Sequence, residues 1–356
     1  MELQTERAAR LEYTVATATR GAAAIDIVKT KKCVFSGVQP TGDAHIGNFL
    51  GAFKYWVASQ DEFENIFCVV DLHAITVYQD PATLREQTRT VAALLLAAGI
   101  DPERSALFVQ SHIGAHAELA WILNCFIPMG WLQRMTQFKE KAGEDRESVS
   151  TGLFDYPALM AADILLYDTD LVPVGDDQKQ HLELTRDAAQ RINSLYGPTL
   201  VVPEPSIPPV AARVMGLDDP TKKMSKSEEA AGHAILLLDS PDDIVRKIKR
   251  ATTDSQRDIV FDRQRPGVFN LLSIYQGFTG GSEAEIEAHF DGKGYGDLKG
   301  ELAEVVVAAL TPLRERYHEL MNDPGEIDRI LADGADRLRP IATATLKRVM
   351  EQVGLG

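Results

Sequence analysis

The hydrophobic positions in the first two thirds of the chain form short apolar runs that alternate with longer amphipathic stretches. The apolar runs lie at residues 33–38, 66–71, 106–110 and 171–174. A stretch between them, residues 81–100, has helical character, and Gly99 and Pro102 mark its end. Short apolar strands that alternate with helices are typical of a parallel sheet covered on both faces. Ligands of such sheets bind at the carboxyl ends of the strands. The predicted strand ends are Gly37, Asp71, Gln110 and Gly175.

The pattern of hydrophobic and polar residues changes after about residue 215, where a polar, lysine-bearing loop (218–232) is followed by long helical patterns. Ser240 and Pro241 have the residue types of an N-cap and a first helical position. The glycine-rich segment 291–300 is interpreted as a turn. The predicted organisation is a flexible N-terminal extension (1–30), an α/β domain (31–215), and the loop with a helical domain (216–356).

Charge and cysteine content exclude several classes of protein. The formal net charge is −15, and a general polyanion binder needs an excess of Lys and Arg, although a local basic site stays compatible with this charge. Cys33, Cys68 and Cys125 form no C-x-x-C pair, which argues against a disulfide framework or a zinc ribbon, and no metal ligands are predicted. No apolar run reaches transmembrane length. Residues 1–30 lack a secretory apolar core and contain several acids, so a cytoplasmic protein is predicted.

Residues 36–51, SGVQPTGDAHIGNFLG, run from a glycine-rich loop into an amphipathic helical pattern. Thr41 and Asp43 are candidate caps of this helix. The backbone N–H groups of a helix N-terminus form a phosphate site, to which His45 would add donors. Gly47 would let a nucleotide lie against the backbone, because it has no Cβ. An ordinary loop-to-helix junction with a packed histidine explains the segment equally well.

A second motif, KMSKS at residues 223–227, decides between these two readings. Together with QPTGDAHIGN upstream it resembles the class I aminoacyl-tRNA synthetases, whose paired signatures are "HIGH" and "KMSKS". Segments such as FSGVQPTG, VDLHAITV, RMTQFKEK and YPALMAADILLYDTDLVPVGDDQ are similar to the bacterial-type tryptophanyl-tRNA synthetases, and the resemblance covers most of residues 33–320. Asn48 replaces the second histidine of "HIGH", a change that the family tolerates.

This resemblance implies a Rossmann-like catalytic domain that makes tryptophanyl-adenylate from L-tryptophan and ATP with Mg²⁺, and then charges tRNA(Trp). The first step needs positioning and cations near the departing pyrophosphate rather than a covalent nucleophile. The residues implied in catalysis are His45, Lys141, Lys223 and Lys226. The residues implied in ATP binding are Gln39, Pro40, Thr41, Gly47, Asn48, Gly175, Asp176, Asp177, Val214, Lys223, Met224, Ser225, Lys226 and Ser227.

The resemblance also implies a tryptophan pocket, made of Phe35, Gly37, His73, Tyr156, Met160, Asp163, Val172, Val174 and Gln178. Asp163 lies in an apolar helical context and is either an acceptor for the indole N–H or a structural carboxylate. The other histidines considered, His112, His116, His181 and His233, show no ligand spacing and are assigned structural or surface roles. The helical C-terminal part would recognise the anticodon, and the family is homodimeric.

Three alternatives share parts of this pattern. A tyrosyl-tRNA synthetase has the same fold and chemistry. The context of Asp163 and the long segment of residues 156–178, the central block of the resemblance, favour tryptophan. Another "HIGH"-bearing nucleotidyltransferase would lack a helical domain of this size. A non-catalytic paralogue would have no reason to keep KMSKS, GDDQ and Asp163 together. The sequence therefore favours a tryptophan–tRNA ligase.

Overall fold

Five strands form one sheet in the computed structural model of the chain, which describes residues 29–40, 44–135, 150–175, 178–206, 214–225 and 232–356. The strands are β1 (Cys33–Val38), β2 (Glu64–Val69), β3 (Ala106–Val109), β4 (Leu171–Pro173) and β5 (Glu204–Ser206). They follow the order β3-β2-β1-β4-β5 across the sheet. The pairings of β1 with β4, β2 with β3 and β4 with β5 are parallel. The predicted parallel-sheet fold is thus confirmed.

The strands show why four of them were predictable and one was not. Residues 65–69 of β2 and all of β3 are buried, as expected for strands covered on both faces. β5 has the sequence EPS, which contains no apolar run. It lies at the edge of the sheet, a position that tolerates Pro205.

Helices connect and follow the strands. In the first two thirds they are α1 (Ile46–Asn48), α2 (Lys54–Ala58), α3 (Asp71–Ala74), α4 (Pro81–Ala97), α5 (Ala115–Phe126), α6 (Met129–Gln133), α7 (Thr151–Leu165) and α8 (Lys179–Tyr196). A π-helical segment (Phe49–Phe53) joins α1 to α2, and short 3₁₀ segments lie at Ser59–Asp61 and Gln110–His112. The C-terminal helices are α9 (Pro241–Arg250), α10 (Pro266–Thr279), α11 (Glu283–Phe290), α12 (Tyr295–Asn322) and α13 (Pro324–Val353). The predicted C-terminal helical region is confirmed.

Local capping explains where two of the C-terminal helices begin. Ser240 caps α9 as predicted, and its hydroxyl accepts a hydrogen bond from the backbone N–H of Asp243 at 3.1 Å. The interpretation of residues 291–300 as a turn is wrong beyond Gly294, because α12 begins at Tyr295. The carboxylate of Asp297 accepts a hydrogen bond from the N–H of Gly294 at 2.9 Å, which starts the helix inside the glycine-rich segment.

The chain divides by compactness into two units. The first unit contains residues 1–35, 115–206 and 340–356, and the second contains residues 36–114 and 207–339. Helices α5, α7 and α8 pack together in the first unit, where Ala158, Ala161 and Ala162 of α7 are fully buried. In the second unit α12 packs against α4, α9 and α10. The predicted domain boundaries follow the motifs instead of compactness, and they stay predictions.

Within the described ranges, no helix combines the length and the apolar character that crossing a membrane requires.

Candidate active site

The helix that follows the glycine-rich loop is capped by a histidine. His45 has an extended backbone and is the N-cap of α1. Its Nδ1 accepts a hydrogen bond from the N–H of Gly47 at 3.1 Å, and the side-chain oxygen of Asn48 accepts one from the N–H of His45 at 3.0 Å. The predicted caps, Thr41 and Asp43, lie outside the described residues, and the N-cap position is occupied by His45. The reciprocal pair of bonds is the capping-box arrangement, built here from a histidine and an asparagine.

The cap determines the protonation of His45. Because Nδ1 accepts a hydrogen bond, the ring proton of the neutral form lies on Nε2, which makes that nitrogen a donor. Burial, together with the nearby charges of Lys223 and His233, lowers the pKa of His45 to about 4. His45 is thus neutral at pH 7 and offers one N–H group, fewer than the several donors expected from the sequence.

Gly47 has a reason within the fold for lacking a side chain. A Cβ at this position would lie 2.8 Å from Nδ1 and 2.9 Å from Cε1 of His45, and 3.5 Å from Cβ of Val214. The ring of His45 therefore occupies the space that a side chain would need. The π-helical segment 49–53 follows at once, and such irregular turns are frequent at functional sites.

A cavity of about 300 Å³ opens beside this helix start, within the second unit. Its polar lining includes Gln39 and Asn48, and its apolar lining includes Phe53, Trp56 and Leu94. Two residues implied in ATP binding thus share one cavity wall. Pro40, which is implied in the same role, is buried.

The described part of the KMSKS loop lies against the segment before it. Met215 and Lys223 form an antiparallel bridge, and the N–H of Met224 donates to the carbonyl of Val214 at 3.1 Å. Met224 and Val214 are buried, whereas Lys223 is exposed. The second unit therefore brings together His45 and Gly47 of the first motif, Lys223 of the second, and Val214, which belongs to neither.

The first unit contains a buried polar network around Asp163. Nδ1 of His116 lies 2.7 Å from Oδ1 of Asp163, and Nε2 of His116 lies 2.7 Å from the hydroxyl of Tyr167. All three side chains are almost completely buried. A neutral His116 satisfies both contacts if Nδ1–H donates to Asp163 and the hydroxyl of Tyr167 donates to Nε2.

Aromatic and apolar side chains surround this network in the first unit. The ring of Phe35 stacks on Tyr167 with centroids 5.9 Å apart and planes inclined by 10°. Tyr156, Met160 and Asp163 follow a spacing of four and three residues on α7, which puts them on one helical face. The hydroxyl of Tyr156 lies 2.6 Å from Nε2 of His181. This face of α7 therefore combines apolar surface with an orienting acceptor.

The remaining implied residues fall into three groups. The first group lies in and after β4 in the first unit. Val172 and Val174 are buried there, Gln178 is half-buried and Gly175 is exposed. Gly37 at the end of β1 is exposed, and His73 on α3 is buried, both in the second unit. The residues that lie outside the described ranges are Thr41, Lys141, Asp176, Asp177, Lys226 and Ser227.

Sequence reasoning missed the histidines and the tyrosine that hold the first unit's polar groups. His116 and His181 contact Asp163 and Tyr156, and Tyr167 completes the network. His116 precedes Asp163 by 47 residues, and His181 follows Tyr156 by 25, so no local spacing pointed to either pair. The assignment of His116 and His181 as structural residues is compatible with their burial, but it overlooked the side chains that they orient.

Comparison with known proteins identifies the class to which this geometry belongs. The model of the family "tRNA synthetases class I (W and Y)" matches residues 29–311. The chain therefore belongs to the class I tRNA synthetases of the tryptophan and tyrosine group.

Individual relatives place the chain within that group. A tryptophan–tRNA ligase of Wolinella succinogenes is 59% identical over 325 residues, which are 91% of this chain and 99% of the relative. The crystal structure of tryptophanyl-tRNA synthetase from Mycoplasma pneumoniae matches with a TM-score of 0.84 at 37% identity, over 92% of this chain and 99% of that one. The structure from Campylobacter jejuni, complexed with ADP and tryptophan, matches with a TM-score of 0.78 at 37% identity, over 91% and 100%. The chain thus falls in the tryptophan branch, as its sequence resemblance implies.

Proposed function

We propose that the chain activates L-tryptophan with ATP and transfers the tryptophanyl group to tRNA(Trp). The observation that carries the proposal is the buried Asp163–His116–Tyr167 network, because it supplies a fixed acceptor beside an aromatic-lined face. The indole ring has one directional polar group, an N–H donor, and an ionised carboxylate is the strongest acceptor for it. The identity with tryptophan–tRNA ligases over most of the chain supports the same activity.

Tryptophan binding is assigned mainly to the first unit. Asp163 accepts the indole N–H, and four apolar side chains enclose the ring. These four are Phe35, Met160, Val172 and Val174. Tyr156 and Gln178 hold the α-ammonium group, and the family resemblance adds Gly37 and His73 to the set. His116 keeps the carboxylate of Asp163 in one orientation, so that the acceptor needs no rearrangement when the substrate binds.

ATP binding is assigned to the helix start and the KMSKS loop, with the adenosine held by residues after β4. Gln39, Pro40, Thr41, Gly47 and Asn48 contact the nucleotide, and neutral His45 donates through Nε2–H to a phosphate oxygen. Val214 lies near the adenine, and Gly175, Asp176 and Asp177 hold the ribose. The ammonium groups of Lys223 and Lys226 balance the charge of the pyrophosphate, with help from Lys141. Met224, Ser225 and Ser227 shape the loop that carries these lysines.

The chemical step is an in-line displacement at the α-phosphorus. A carboxylate oxygen of tryptophan forms the new bond to phosphorus as the bond to pyrophosphate breaks. The substrate supplies the nucleophile, so the step needs no nucleophilic side chain and no covalent intermediate with the enzyme. The residues therefore act by positioning and by balancing charge. The lysines are suited to this task because an ammonium on a flexible stem follows the moving phosphates.

Magnesium is assigned to ATP rather than to a protein cage. Among the described residues, no three His, Cys, Asp or Glu side chains lie close enough to hold a metal ion. Mg²⁺ is ordinarily bound through substrate phosphates and one or two carboxylates, and it keeps several waters. When bound in this way it neutralises part of the phosphate charge.

The remaining assignments concern partners and location. The C-terminal helices recognise the anticodon, and the enzyme acts as a cytoplasmic homodimer. On α9 the basic side chains divide into two sets. Arg246 and Lys247 are paired with Asp243 and Asp239, whereas Lys249 and Arg250 are exposed and suit contact with RNA phosphates.

The proposal is tested by ATP–pyrophosphate exchange with each amino acid, followed by aminoacylation of tRNA(Trp). Tryptophan should support exchange far better than tyrosine or phenylalanine. Faster exchange with tyrosine would contradict the tryptophan assignment. Exchange with no amino acid would favour a non-catalytic paralogue.

A further inference from the structure

A buried histidine that the proposed mechanism does not use lies directly behind the KMSKS loop. His233 is 2% exposed. Its Nδ1 lies 2.6 Å from Oδ1 of Asp218, and its Nε2 lies 3.2 Å from the backbone carbonyl oxygen of Lys223. The imidazole thus joins the start of the polar loop to the first lysine of KMSKS.

Both partners of this ring are acceptors. Burial opposes the ionisation of Asp218, but hydrogen bonds from His233 and from backbone N–H groups outweigh it, and the pKa of Asp218 is lowered. An ionised carboxylate and a backbone carbonyl can only accept. Only the imidazolium, with a proton on each nitrogen, donates to both at once. A neutral ring has one N–H group, which donates to the carboxylate of Asp218 because that is the stronger acceptor. The bond to the carbonyl of Lys223 is then lost.

The surrounding backbone makes room for the ring. A Cβ on Gly216 would lie 2.1 Å from Cε1 and 2.5 Å from Nδ1 of His233. The N–H of Leu217 donates to the carbonyl of His233 at 3.0 Å, and the N–H of Gly216 donates to the carbonyl of Lys222 at 2.9 Å. The segment before the loop is therefore packed around this histidine, both by its main-chain hydrogen bonds and because Gly216 has no side chain.

The segment that carries His233 also contacts the helix start. The N–H of Ile46 donates to the carbonyl of Ile235 at 3.0 Å, and the N–H of Leu237 donates to the carbonyl of Ala44 at 2.9 Å. The charge of His233 acts on His45 and on Asp219, besides Asp218. Residues 233–237 therefore join the two motif segments of the second unit.

We propose that His233 is a positioning residue for Lys223. By holding the carbonyl of Lys223 against Asp218, it sets the place from which the Lys223 ammonium reaches the phosphates of ATP. The inference rests on the proposed role of Lys223 in ATP chemistry. His233 acts through Lys223 and is assigned no contact with a substrate.

Two amide substitutions separate the two bonds of the ring. The amide nitrogen of His233→Gln replaces Nε2 and can still donate to Lys223, whereas that of His233→Asn replaces Nδ1 and can donate only to Asp218. We expect kcat/KM for ATP in pyrophosphate exchange to fall about 3- to 10-fold in His233→Asn and less in His233→Gln, because one hydrogen bond is lost at the lysine. The KM for tryptophan should not change. Equal activities, or a more active His233→Asn, would overturn the proposal.

A matched control uses the exposed His289 of α11, whose Nε2 lies 2.5 Å from Oε2 of Glu301. His289→Gln and His289→Asn should both keep the wild-type kcat/KM for ATP. Urea unfolding of all variants separates loss of fold from loss of position. If the wild type shows no tryptophan-dependent exchange, the proposed function fails. If it does and the His233 pair behaves like the His289 pair, only the present inference fails.

Discussion

The two compact units hold their polar site groups in opposite ways. In the first, Asp163, His116 and Tyr167 form a buried chain of short hydrogen bonds. In the second, Lys223 is exposed, while the neutral ring of His45 is used to cap a helix. The difference corresponds to the two ligands of the proposed function. An indole N–H is one directional donor that needs a fixed acceptor, whereas phosphates that move during the reaction need charges that can follow them.

The buried network of the first unit and the exposed lysine of the second also differ in how much they contribute to stability. Removing one partner of a buried polar pair leaves the other unsatisfied, at a cost of about 1–3 kcal/mol. An exposed lysine contributes little to the free energy of unfolding. Substitutions in the first unit should therefore change selectivity and stability together, and substitutions in the second unit's loop should change rate alone.

The largest expected effect comes from Asp163→Ala. Sites that hydrogen-bond a substrate N–H can reject analogues that lack it by about 10⁴–10⁵. The variant should lose most of the gap in kcat/KM between tryptophan and phenylalanine, and its free energy of unfolding should fall by about 1–3 kcal/mol as His116 loses its acceptor. Exchange kinetics with tryptophan, tyrosine and phenylalanine, combined with urea unfolding, measure both quantities. Asp163→Asn should be intermediate, because its amide oxygen can still accept, and unchanged selectivity in Asp163→Ala would remove the stated basis of specificity.

A second variant, Lys226→Ala, separates rate from stability in the other unit. We expect adenylate formation to lose roughly 2.7–4 kcal/mol of transition-state stabilisation, by analogy with one preorganised donor. Unfolding and tryptophan affinity should stay at wild-type values. Pre-steady-state exchange measures the rate, and Lys222→Ala is the neighbouring control. An exchange rate close to that of the wild type would show that Lys226 has no part in the step.

The depressed pKa of His45 predicts a pH dependence of stability. The ordinary value is 6.5 and burial, with two nearby charges, lowers it to about 4. As pH falls from 6.5 to 4, the unfolded chain binds a proton that the folded chain refuses, so the free energy of unfolding falls by up to roughly 3 kcal/mol. The stabilisation is therefore complete above pH 6.5 and is lost on acidification. Urea unfolding at several pH values measures it.

His45→Asn is the control for this titration, because asparagine is a good N-cap but does not titrate in this range. The difference between wild type and variant should change with pH in the stated direction. Parallel curves for the two proteins would show that His45 does not titrate with a lowered pKa.

The smallest expected effect is the difference in stability between Gly47→Ala and Gly51→Ala, two substitutions near the same helix start. From the sequence, Gly47→Ala would stabilise the helix by up to about 1 kcal/mol. The structure reverses that expectation, because the new methyl group displaces the ring of His45, and losing an N-cap costs about 1 kcal/mol. Gly51→Ala has open space around its Cβ and should be the stabilising change. Thermal or urea unfolding of the two variants decides the order, and ATP use should suffer only in Gly47→Ala. A stabilised Gly47→Ala would contradict the assigned cap.

Local pattern was sufficient for the elements whose signals lie within a few residues. The strands β1 to β4 and the start of α9 at Ser240 and Pro241 were predicted, because buried strands and helix caps depend on residues that are close in sequence. The two motifs and the central block carried the family resemblance, and the comparisons confirm it. The individual site residues that the resemblance implied stay predictions that the variants above test.

Only the tertiary structure decided which side chains meet. His116 and Asp163 are 47 residues apart, and the contact between His233 and Lys223 depends on loop packing that no periodicity describes. Even the cap of α1 depended on the shape of the ring of His45 and the missing Cβ of Gly47 rather than on cap preference. Hydrogen bonds between residues distant in sequence depend on how helices and strands pack, and a short-range pattern contains no information about that packing.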